Sequence, residues 1–216
     1  MSKQEDYNWT RFFDATKDLP PRDTLLRALS LFEADWQASQ CLDVVKNVPL
    51  GIDLGCGDGR DAKEMLRRGW RVLAIDSSSD AIHALMNHVD ASCMTRLEAR
   101  VQRFEDAVLP PATLVNASFS IPHCDPRDFP ALWANATRAI KPEGRFSGQL
   151  FGVNDEWARK PDGVTRTYHT REQVESLLAC AGLVPEFFDE VERPGKNAFG
   201  EPKHWHVFHI VARRRA

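Results

Sequence analysis

The glycine-rich stretch at residues 51–59 constrains the fold of this chain more than any other feature, because from Gly55 it reads Gly-x-Gly-x-Gly. An apolar run over residues 48–54 leads into it and predicts a buried strand, and the pattern over residues 58–68 predicts a helix. Glycine permits a tight turn between them and lets a ligand come against the backbone. The helix start supplies unpaired N–H groups and the positive end of a helix dipole. The stretch therefore predicts a strand, a ligand-binding turn and a helix.

Two classes of ligand, and one structural alternative, are compatible with such a turn. A dinucleotide site requires Gly-x-Gly-x-x-Gly, and here Gly55 and Gly57 fit the first two positions while Arg60 occupies the third. Asp53 also lies at the strand end, close to where a pyrophosphate would bind. The missing third glycine and the nearby carboxylate both disfavour the binding of a phosphate group. The structural alternative is a tight strand-to-helix connection without a ligand.

The order acid-x-Gly-x-Gly-x-Gly, which starts at Asp53, resembles the first motif of the class I S-adenosylmethionine (SAM) methyltransferases. SAM carries no phosphate, and its zwitterionic methionyl end and ribose suit a glycine turn flanked by carboxylates. The turn at residues 141–144 also resembles the Leu/Ile-Lys-Pro-Gly-Gly turn of that family, with Glu143 in place of the first glycine. The resemblance spans nearly the whole chain. The size of the chain and the absence of added domains resemble the small-molecule branch of that family, near the tellurite-resistance and thiopurine methyltransferases.

Asp76 ends the second predicted strand, residues 71–76, and is the strongest candidate for binding a ribose. It follows the glycine turn by about twenty residues, the spacing at which an acid meets ribose hydroxyls in this architecture. A carboxylate suits a diol because it accepts two hydrogen bonds. The alternative role is a cap for the next helix, but three consecutive serines, starting at Ser77, already supply caps.

The resemblance implies roles for further residues around a bound SAM. The backbone of Gly55, Cys56 and Gly57 would approach the methionyl part, and Asp53 would hold its ammonium directly or through water. The adenine ring would be bordered by two residues, Ser77 and Phe104. An acid after the third predicted strand, residues 96–104, would accept from the adenine amino group. Counting back from the Leu-Pro pair at residues 109–110 favours Glu105 over Asp106, and the alternative is a solvated acidic turn.

The segment from Ser118 to His123 follows the fourth predicted strand, residues 113–118. Strands one and four flank the switch point of a parallel sheet, so this segment should face both the methionyl group and the acceptor. The Asp/Asn-Pro-Pro-aromatic tetrad of base-modifying aminomethyltransferases is absent, which argues against a nucleobase amine as acceptor. His123 is a candidate general base. The alternative is a histidine bonded to the loop backbone, since methyl transfer depends mainly on alignment.

Two further segments have both a structural and a functional interpretation. The N-terminal aromatic residues, Tyr7, Trp9, Phe12 and Phe13, precede a helix predicted over residues 24–39 and either pack against the sheet, which is favoured, or form a lid over the site. The long polar stretch over residues 152–169 either contributes to an acceptor pocket, with Trp157 as a wall, or is a surface loop.

The order of predicted elements indicates the fold class. Strands and helices alternate up to a capping box, Thr170-x-x-Gln173, and the chain then ends in two strands joined by a Gly- and Pro-rich turn. We predict an α/β protein with a doubly wound, Rossmann-like, seven-stranded sheet, mostly parallel with an antiparallel C-terminal hairpin. One domain would cover residues 1–216, with a helical lid over 1–40 and the Rossmann-like core over 41–216.

Composition narrows the classes of partner. The formal net charge of -3 gives no basic footprint for nucleic acid, and no apolar run is long enough to span a bilayer. The polar N-terminus lacks a signal-peptide hydrophobic region, and the five cysteines include no C-x-x-C pair, so we predict a cytoplasmic protein with reduced thiols. Among His204, His206 and His209, the first two would share a strand face, but no third ligand at zinc spacing is visible. Packing or contact with an acceptor is therefore favoured for these histidines, and no metal is predicted. The sequence leaves monomer and homodimer open.

The function predicted by the resemblance is methyl transfer from SAM to a small-molecule acceptor, with S-adenosylhomocysteine (SAH) as product. Two alternatives of other classes stay open. An NAD(P)-dependent oxidoreductase would use the same kind of glycine turn, although Arg60 speaks against it. A non-catalytic regulatory subunit that binds SAM or SAH would share the whole cofactor motif, because the motif reports binding and not turnover.

Overall fold

The computed structural model describes residues 9–16, 19–38, 48–160 and 163–215. Its strands are β1 Leu50–Leu54, β2 Arg71–Asp76, β3 Leu97–Val101, β4 Ala112–Ala117, β5 Ile140–Gly152, β6 Tyr168–His169, β7 Leu183–Lys196 and β8 Pro202–Arg214. They form one sheet in the order β3-β2-β1-β4-β5-β8-β7, and β6 pairs with β5. Strands β1 to β6 pair in parallel, whereas β8 is antiparallel to both β5 and β7.

Helices cover both faces of this sheet. They are α1 Trp9–Thr16, α2 Asp23–Ala38, α3 Arg60–Arg67, α4 Ser79–His88, α5 Phe129–Ala139, α6 Glu156–Arg159 and α7 Arg171–Cys180. Three short 3-10 helices, Ala91–Arg96, Phe104–Asp106 and Ile121–His123, lie at strand and helix ends. Buried side chains of α2, α3 and α4 form one core with the sheet, and those of α5 and α7 form the other. Because helices cover both faces, a central strand such as β1 is buried on both sides. The apolar run before the glycine turn predicts this burial.

The predicted fold is confirmed, and the structure corrects it in three places. A two-residue eighth strand, β6, joins the seven that the sequence predicts. The third strand ends at Val101, earlier than predicted, and Phe104 and Glu105 lie on a 3-10 helix. The stretch over residues 152–169 is less irregular than expected, because Asp155 caps the short helix α6 by accepting from the Trp157 N–H group at 3.0 Å.

The turn at residues 141–144 lies within β5, where the register against β4 shifts between Ala112 and Leu114. Glu143, which replaces a glycine of the resembled motif, has φ 65°. Its carboxylate forms an ion pair with Arg213. The position therefore keeps the backbone conformation that suits glycine, although a charged side chain occupies it.

The alternating glycines have the positive φ angles that their turn requires, with φ 69° at Gly55, 55° at Gly57 and 85° at Gly59. Gly59 also packs tightly, since a Cβ atom there would lie 2.1 Å from Leu85 Cδ1. Gly69 ends the helix that follows with φ 88°, and a Cβ atom there would meet nothing within 4 Å. The two positions therefore share a backbone conformation and differ in the space around them.

We expect Gly69→Ala to lower the free energy of unfolding by about 1 kcal/mol, the cost of the left-handed conformation alone. Gly59→Ala should cost roughly 2–3 kcal/mol, because the new methyl group also displaces Leu85. Urea denaturation of both variants and the wild type measures the difference. Equal effects of the two substitutions would show that the contact with Leu85 is unimportant.

His169 is a buried histidine outside the cavity described below. Its ring lies 4.7 Å from the Phe129 ring, between centroids, and its Nδ1 atom has no hydrogen-bond partner among the described residues. Burial lowers the pKa of His169 from 6.5 to about 4. The folded protein therefore holds this ring neutral at pH values where the unfolded chain protonates it.

We expect stability to fall with pH between about 6.5 and about 4 in a way that depends on His169. The unfolded chain binds the proton first, so this contribution is complete above pH 6.5 and is lost as the pH falls to about 4. Urea midpoints across this range should fall less steeply in His169→Gln than in the wild type. The exposed His83→Gln is the matched control. An unchanged slope in His169→Gln would contradict the prediction.

Among the described residues, no helix is long and apolar enough to cross a membrane.

Candidate functional site

A cavity of about 830 Å³ opens at the carboxyl ends of β1, β2 and β4. It is lined by the nine residues that are predicted to bind SAM and by the candidate general base: Asp53, Gly55, Cys56, Gly57, Asp76, Ser77, Phe104, Glu105, Ser118 and His123. They come from the ends of adjacent parallel strands, which meet at one edge of the sheet. The sequence-predicted residues therefore share one site.

Asp76 is tied to the glycine turn by its own carboxylate. Oδ2 accepts from the Gly57 N–H group at 2.8 Å and Oδ1 accepts from the Ser78 N–H group at 2.9 Å. Burial nevertheless raises the pKa of Asp76 above its ordinary value. The next helix is capped by Ser78, whose Oγ accepts from the Ala81 N–H group at 3.2 Å, as the serine run predicts. Each Asp76 oxygen retains a lone pair that a ligand hydroxyl can use.

A polar network lies beside the turn and centres on Asn116 of β4. Its Nδ2 atom donates to Asp53 Oδ1 at 2.9 Å and to Asp61 Oδ2 at 3.0 Å, and its Oδ1 atom accepts from Ser147 Oγ at 2.6 Å. Asp53 is 2% exposed, and its Oδ2 atom is buried without a hydrogen-bond partner in the described parts of the chain. Burial, and then the nearby Asp61, raise the pKa of Asp53. This oxygen is suited to a cationic or polar donor in the cavity.

Ser118 belongs to the same network. Its Oγ atom donates to Asp61 Oδ2 at 2.6 Å, so the hydroxyl proton is already in use. Asp61 also accepts from the backbone N–H group of Arg22 at 2.9 Å. The predicted contact of Ser118 with a ligand therefore involves its lone pairs or its backbone, and Asp61 connects the site to the N-terminal segment.

The opposite end of the cavity is formed by the 3-10 helix Phe104–Asp106 and by Ser77. Glu105 lines the cavity, and its Oε1 atom lies 3.1 Å from an Nη atom of Arg103. The side chain of Asp106 is 72% exposed and does not line the cavity. The geometry therefore favours Glu105 over Asp106 as the acid that faces a ligand.

Four aromatic residues, Phe119, Phe151, Trp157 and Trp205, form the aromatic wall of the cavity. Neighbouring ring centroids lie 5.4 Å apart between Trp157 and Trp205, 5.8 Å between Phe151 and Trp157, and 6.2 Å between Phe119 and Phe151. His123 borders the wall, with its ring centroid 5.8 Å from that of Phe151. Trp157 is the residue that the sequence predicts as a wall of an acceptor pocket.

Phe119 has an unusual backbone for a bulky residue, with φ 55°. Its N–H group donates to Gln149 Oε1 at 3.0 Å, and Gln149 Nε2 donates in turn to Thr24 Oγ1 at 2.8 Å. The guanidinium carbon of Arg22 lies 4.5 Å from the centre of the Phe119 ring. Strained residues of this kind persist where the surroundings hold them, often at ligand sites.

The two cysteines near the site are not prepared as nucleophiles. Burial raises the pKa of Cys56 well above its ordinary value, and burial raises that of Cys124 to about 12. A reactive cysteine needs a lowered pKa.

Two of the histidines near the C-terminus face carboxylates of the neighbouring strand. His204 Nε2 lies 3.3 Å from Glu192 Oε1, and His206 Nε2 lies 2.9 Å from Glu190 Oε1. The described residues include no group of three His, Cys, Asp or Glu side chains arranged for a metal ion.

The sequence analysis missed residues that only folding brings to the cavity. Arg22, Asp61 and Trp205 all line it, and Asn116 lies directly behind it. Asp61 lies only two residues beyond the glycine turn, and a polar Asn116 within an apolar strand was a readable signal. Arg22 and the hairpin residues gave no local signal, because they are distant from the motif in sequence.

One known protein family matches part of this chain. Residues 52–144 match the family described as "Methyltransferase domain". Comparison with curated proteins found no match. Many solved structures share the fold at low identity.

Three of these solved structures illustrate the similarity. The 1,6-didemethyltoxoflavin-N1-methyltransferase of Burkholderia thailandensis, solved with its substrate and SAH, is 16% identical with TM-score 0.65, covering 96% of this chain and 84% of that one. TehB from Haemophilus influenzae is 11% identical with TM-score 0.68, and the match covers 99% of this chain and 67% of that one. The geranyl diphosphate C-methyltransferase of Streptomyces coelicolor, solved with SAH, is 18% identical with TM-score 0.59, and the match covers 88% of this chain and 82% of that one.

Proposed function

The chain carries a methyltransferase domain on a fold shared with SAM-dependent methyltransferases, and we propose that it transfers the methyl group of SAM to a small-molecule acceptor. The observation that carries this proposal is the pair of acids, Asp53 and Asp76, on either side of the glycine turn. The buried, unpartnered Asp53 Oδ2 atom suits an ammonium group. The remaining lone pairs of Asp76 suit a ribose diol.

The residues present fit SAM from one end of the cavity to the other. The backbone of Gly55, Cys56 and Gly57 would border the methionyl part, and Asp53 would hold its ammonium. At the other end, Ser77 and Phe104 would border the adenine ring while Glu105 accepts from its amino group. Ser118 would lie near the methionyl group through its backbone.

The reaction would take place between these residues and the aromatic wall. SAM supplies a methyl group on a sulfonium, which an in-line nucleophile takes while the sulfur leaves as the thioether of SAH. The site contributes mainly alignment and the exclusion of water. We propose that His123, which borders the wall, accepts the proton of an acceptor hydroxyl, thiol or amine.

Arg22 supplies the positive charge that a methionyl carboxylate requires. Its side chain lines the cavity, and no carboxylate of the described chain lies within ion-pair distance of its guanidinium. Burial lowers the pKa of Arg22 to about 10, with a further contribution from the neighbouring Arg60. Two arginines side by side at one end of a cavity suit an anion. We assign Arg22 to the carboxylate of bound SAM.

We expect Arg22→Gln to weaken SAH binding about tenfold or more, the loss of one charge-assisted hydrogen bond. Binding of methylthioadenosine, which lacks the amino-acid part, should stay within threefold of the wild type. Isothermal titration of both ligands measures the difference, with the exposed Arg138→Gln as control. Equal weakening of both ligands would contradict the assignment.

The N-terminal segment would act partly as scaffold and partly as lid. Leu25, Leu29 and Phe32 of α2 are buried against the sheet, which supports the packing interpretation for this helix. Phe12 and Thr16 of α1 line the cavity, which supports a lid made of α1. Among the other N-terminal aromatic residues, Tyr7 lies outside the described residues, as do the side chains of Trp9 and Phe13.

We further propose a single domain over residues 1–216 and a cytoplasmic location, with the oligomeric state open between monomer and homodimer. The four described cysteines, Cys56, Cys93, Cys124 and Cys180, carry free thiols, which supports a reducing compartment.

Titration of the wild type with SAH tests the proposed function first, with NADH as the control ligand. We expect SAH to bind with a micromolar dissociation constant and NADH not to bind. Incubation with SAM and a panel of small molecules, followed by detection of SAH, then tests turnover. A folded protein that does not bind SAH would overturn the proposal. Tight binding of SAH without turnover of any acceptor would favour the regulatory subunit.

A further inference from the structure

We infer that the acceptor is a planar aromatic molecule with an acidic substituent, and that its ring lies on the aromatic wall while its negative charge faces Arg193. The inference rests on the proposed function and concerns the acceptor half of the same cavity. Three features of that half carry it: the wall itself, the cations behind the wall, and the distribution of charge around the cavity.

The wall offers both ring faces and ring edges to another ring, because its neighbouring rings meet at interplanar angles of 51° to 73°. Its four rings contact one another in a continuous series, and Trp205 lies 6.2 Å from Phe119 between centroids, which closes the series. The strained backbone of Phe119 holds one member of the wall in place through Gln149. Aromatic rings stack in offset or edge-to-face arrangements at such distances, so a planar acceptor gains more from this wall than an aliphatic one.

The wall is not built to hold a cationic acceptor, because cations already occupy the far side of its indoles. Lys203 Nζ lies 3.5 Å from the centre of the Trp205 ring and 4.1 Å from that of Trp157. The guanidinium carbon of Arg166 lies 4.1 Å from the centre of the same Trp157 ring. Neither Lys203 nor Arg166 lines the cavity. The attraction of these rings for a positive charge is therefore already used.

Charge is distributed unevenly around the cavity. Its acidic lining residues all belong to the half that we assign to SAM: Asp53, Asp58, Asp61, Asp76 and Glu105. In the described chain, the acceptor half is lined by no carboxylate, while Arg193 and Lys196 of β7 line it. A cation at the mouth of an apolar pocket selects for an acidic substituent.

Arg193 is directed toward the wall by the register of the hairpin. It pairs with Trp205 across β7 and β8. Burial is the main cause that lowers the pKa of His209, which also lines the cavity, and the charge of Arg193 makes a smaller contribution in the same direction. Glu190 and Glu192 of the same strand approach His206 and His204 instead. Asp189, the cross-strand neighbour of His209, lies outside the lining. The guanidinium of Arg193 has no ion-pair partner in the described parts of the chain.

Binding of four probes to the SAH-saturated protein tests the inference by isothermal titration. They are 2-naphthoate, its neutral analogue 2-naphthamide, the cationic 2-naphthylmethylammonium and the non-aromatic cyclohexanecarboxylate. We expect 2-naphthoate to bind at least about tenfold more tightly than each of the others, as one charge-assisted hydrogen bond allows. Arg193→Gln should remove the preference for 2-naphthoate over 2-naphthamide, whereas the exposed Arg138→Gln should retain it.

The outcomes separate this inference from the function on which it rests. If SAH binds and 2-naphthamide or the ammonium binds as tightly as 2-naphthoate, the acidic substituent is wrong and the methyltransferase proposal is unaffected. If cyclohexanecarboxylate binds as tightly, or no probe binds, the planar aromatic acceptor is wrong. A preference for 2-naphthoate that persists in Arg193→Gln overturns the role of Arg193. Failure of SAH itself to bind overturns the proposed function and this inference together.

Discussion

Replacing Lys203 by methionine is expected to lower the free energy of unfolding by about 3–5 kcal/mol, because the change leaves a buried carboxylate without its counter-charge. The ammonium of Lys203 lies 2.6 Å from both oxygens of Asp155, and the two side chains are 3% and 0% exposed. Asp155 also accepts from the N–H groups of Trp157 and His206. One ion pair therefore joins helix α6, strand β8 and the aromatic wall.

Urea denaturation measures this effect, and the chain contains a matched control. Lys160 directly follows α6, and its Nζ atom lies 3.4 Å from Glu156 Oε1, but its side chain is 79% exposed. Lys160→Met should leave the unfolding midpoint unchanged, since exposed ion pairs contribute little. Similar midpoints for the two lysine variants would show that burial does not decide the strength of the Lys203 pair.

Adding Asp155→Asn to Lys203→Met should recover part of the lost stability. The amide carries no charge to leave unpaired, and its oxygen can still accept from the Trp157 N–H group that begins α6. A double variant less stable than Lys203→Met would assign the loss to packing against Trp157 and Trp205 instead of to the unpaired carboxylate.

Replacing Asp76 by alanine is expected to weaken SAH binding about 100-fold or more. The change would remove the two charge-assisted hydrogen bonds that we propose Asp76 accepts from the ribose diol, each worth about 1.5–3 kcal/mol. It also releases the Gly57 and Ser78 N–H groups that the carboxylate holds, so the glycine turn loses its anchor. The lost hydrogen bonds and the loosened glycine turn both weaken the binding of SAH.

Isothermal titration with SAH, together with circular dichroism to verify folding, tests this prediction. The exposed Asp106→Ala is the matched control, because Asp106 lies near the site without lining the cavity. Asp76→Asn should show an intermediate loss, since the amide oxygen still accepts one of the backbone hydrogen bonds. SAH affinity within threefold of the wild type in Asp76→Ala would exclude Asp76 as the ribose ligand.

The residues that we propose to bind SAM could be predicted from the sequence to lie together, because they are local to strand ends. Asp53, Gly55, Gly57 and Asp76 occupy fixed positions relative to β1 and β2, and parallel strands bring their carboxyl ends to one edge. Hydrophobic pattern and turn chemistry also predict the helices, the capping box at Thr170 and the antiparallel hairpin, all of which the structure contains. These features depend on short-range backbone geometry, which a local sequence specifies.

Most of the half proposed to bind the acceptor was decided only by the tertiary structure, although the sequence predicts His123 and Trp157 near it. Trp205 and Arg193 reach the cavity because β7 and β8 extend beyond the rest of the sheet, and Arg22 reaches it because its backbone bonds to Asp61. The carboxyl partner of Lys203 is 48 residues away in sequence, in a stretch that reads as a polar loop. Such contacts arise from the packing of distant segments, and residue spacing carries no information about them. Sequence alone therefore determined which strand-end residues gather at one edge of the sheet, where we propose that SAM binds, and the fold determined the aromatic wall and the cations beside it.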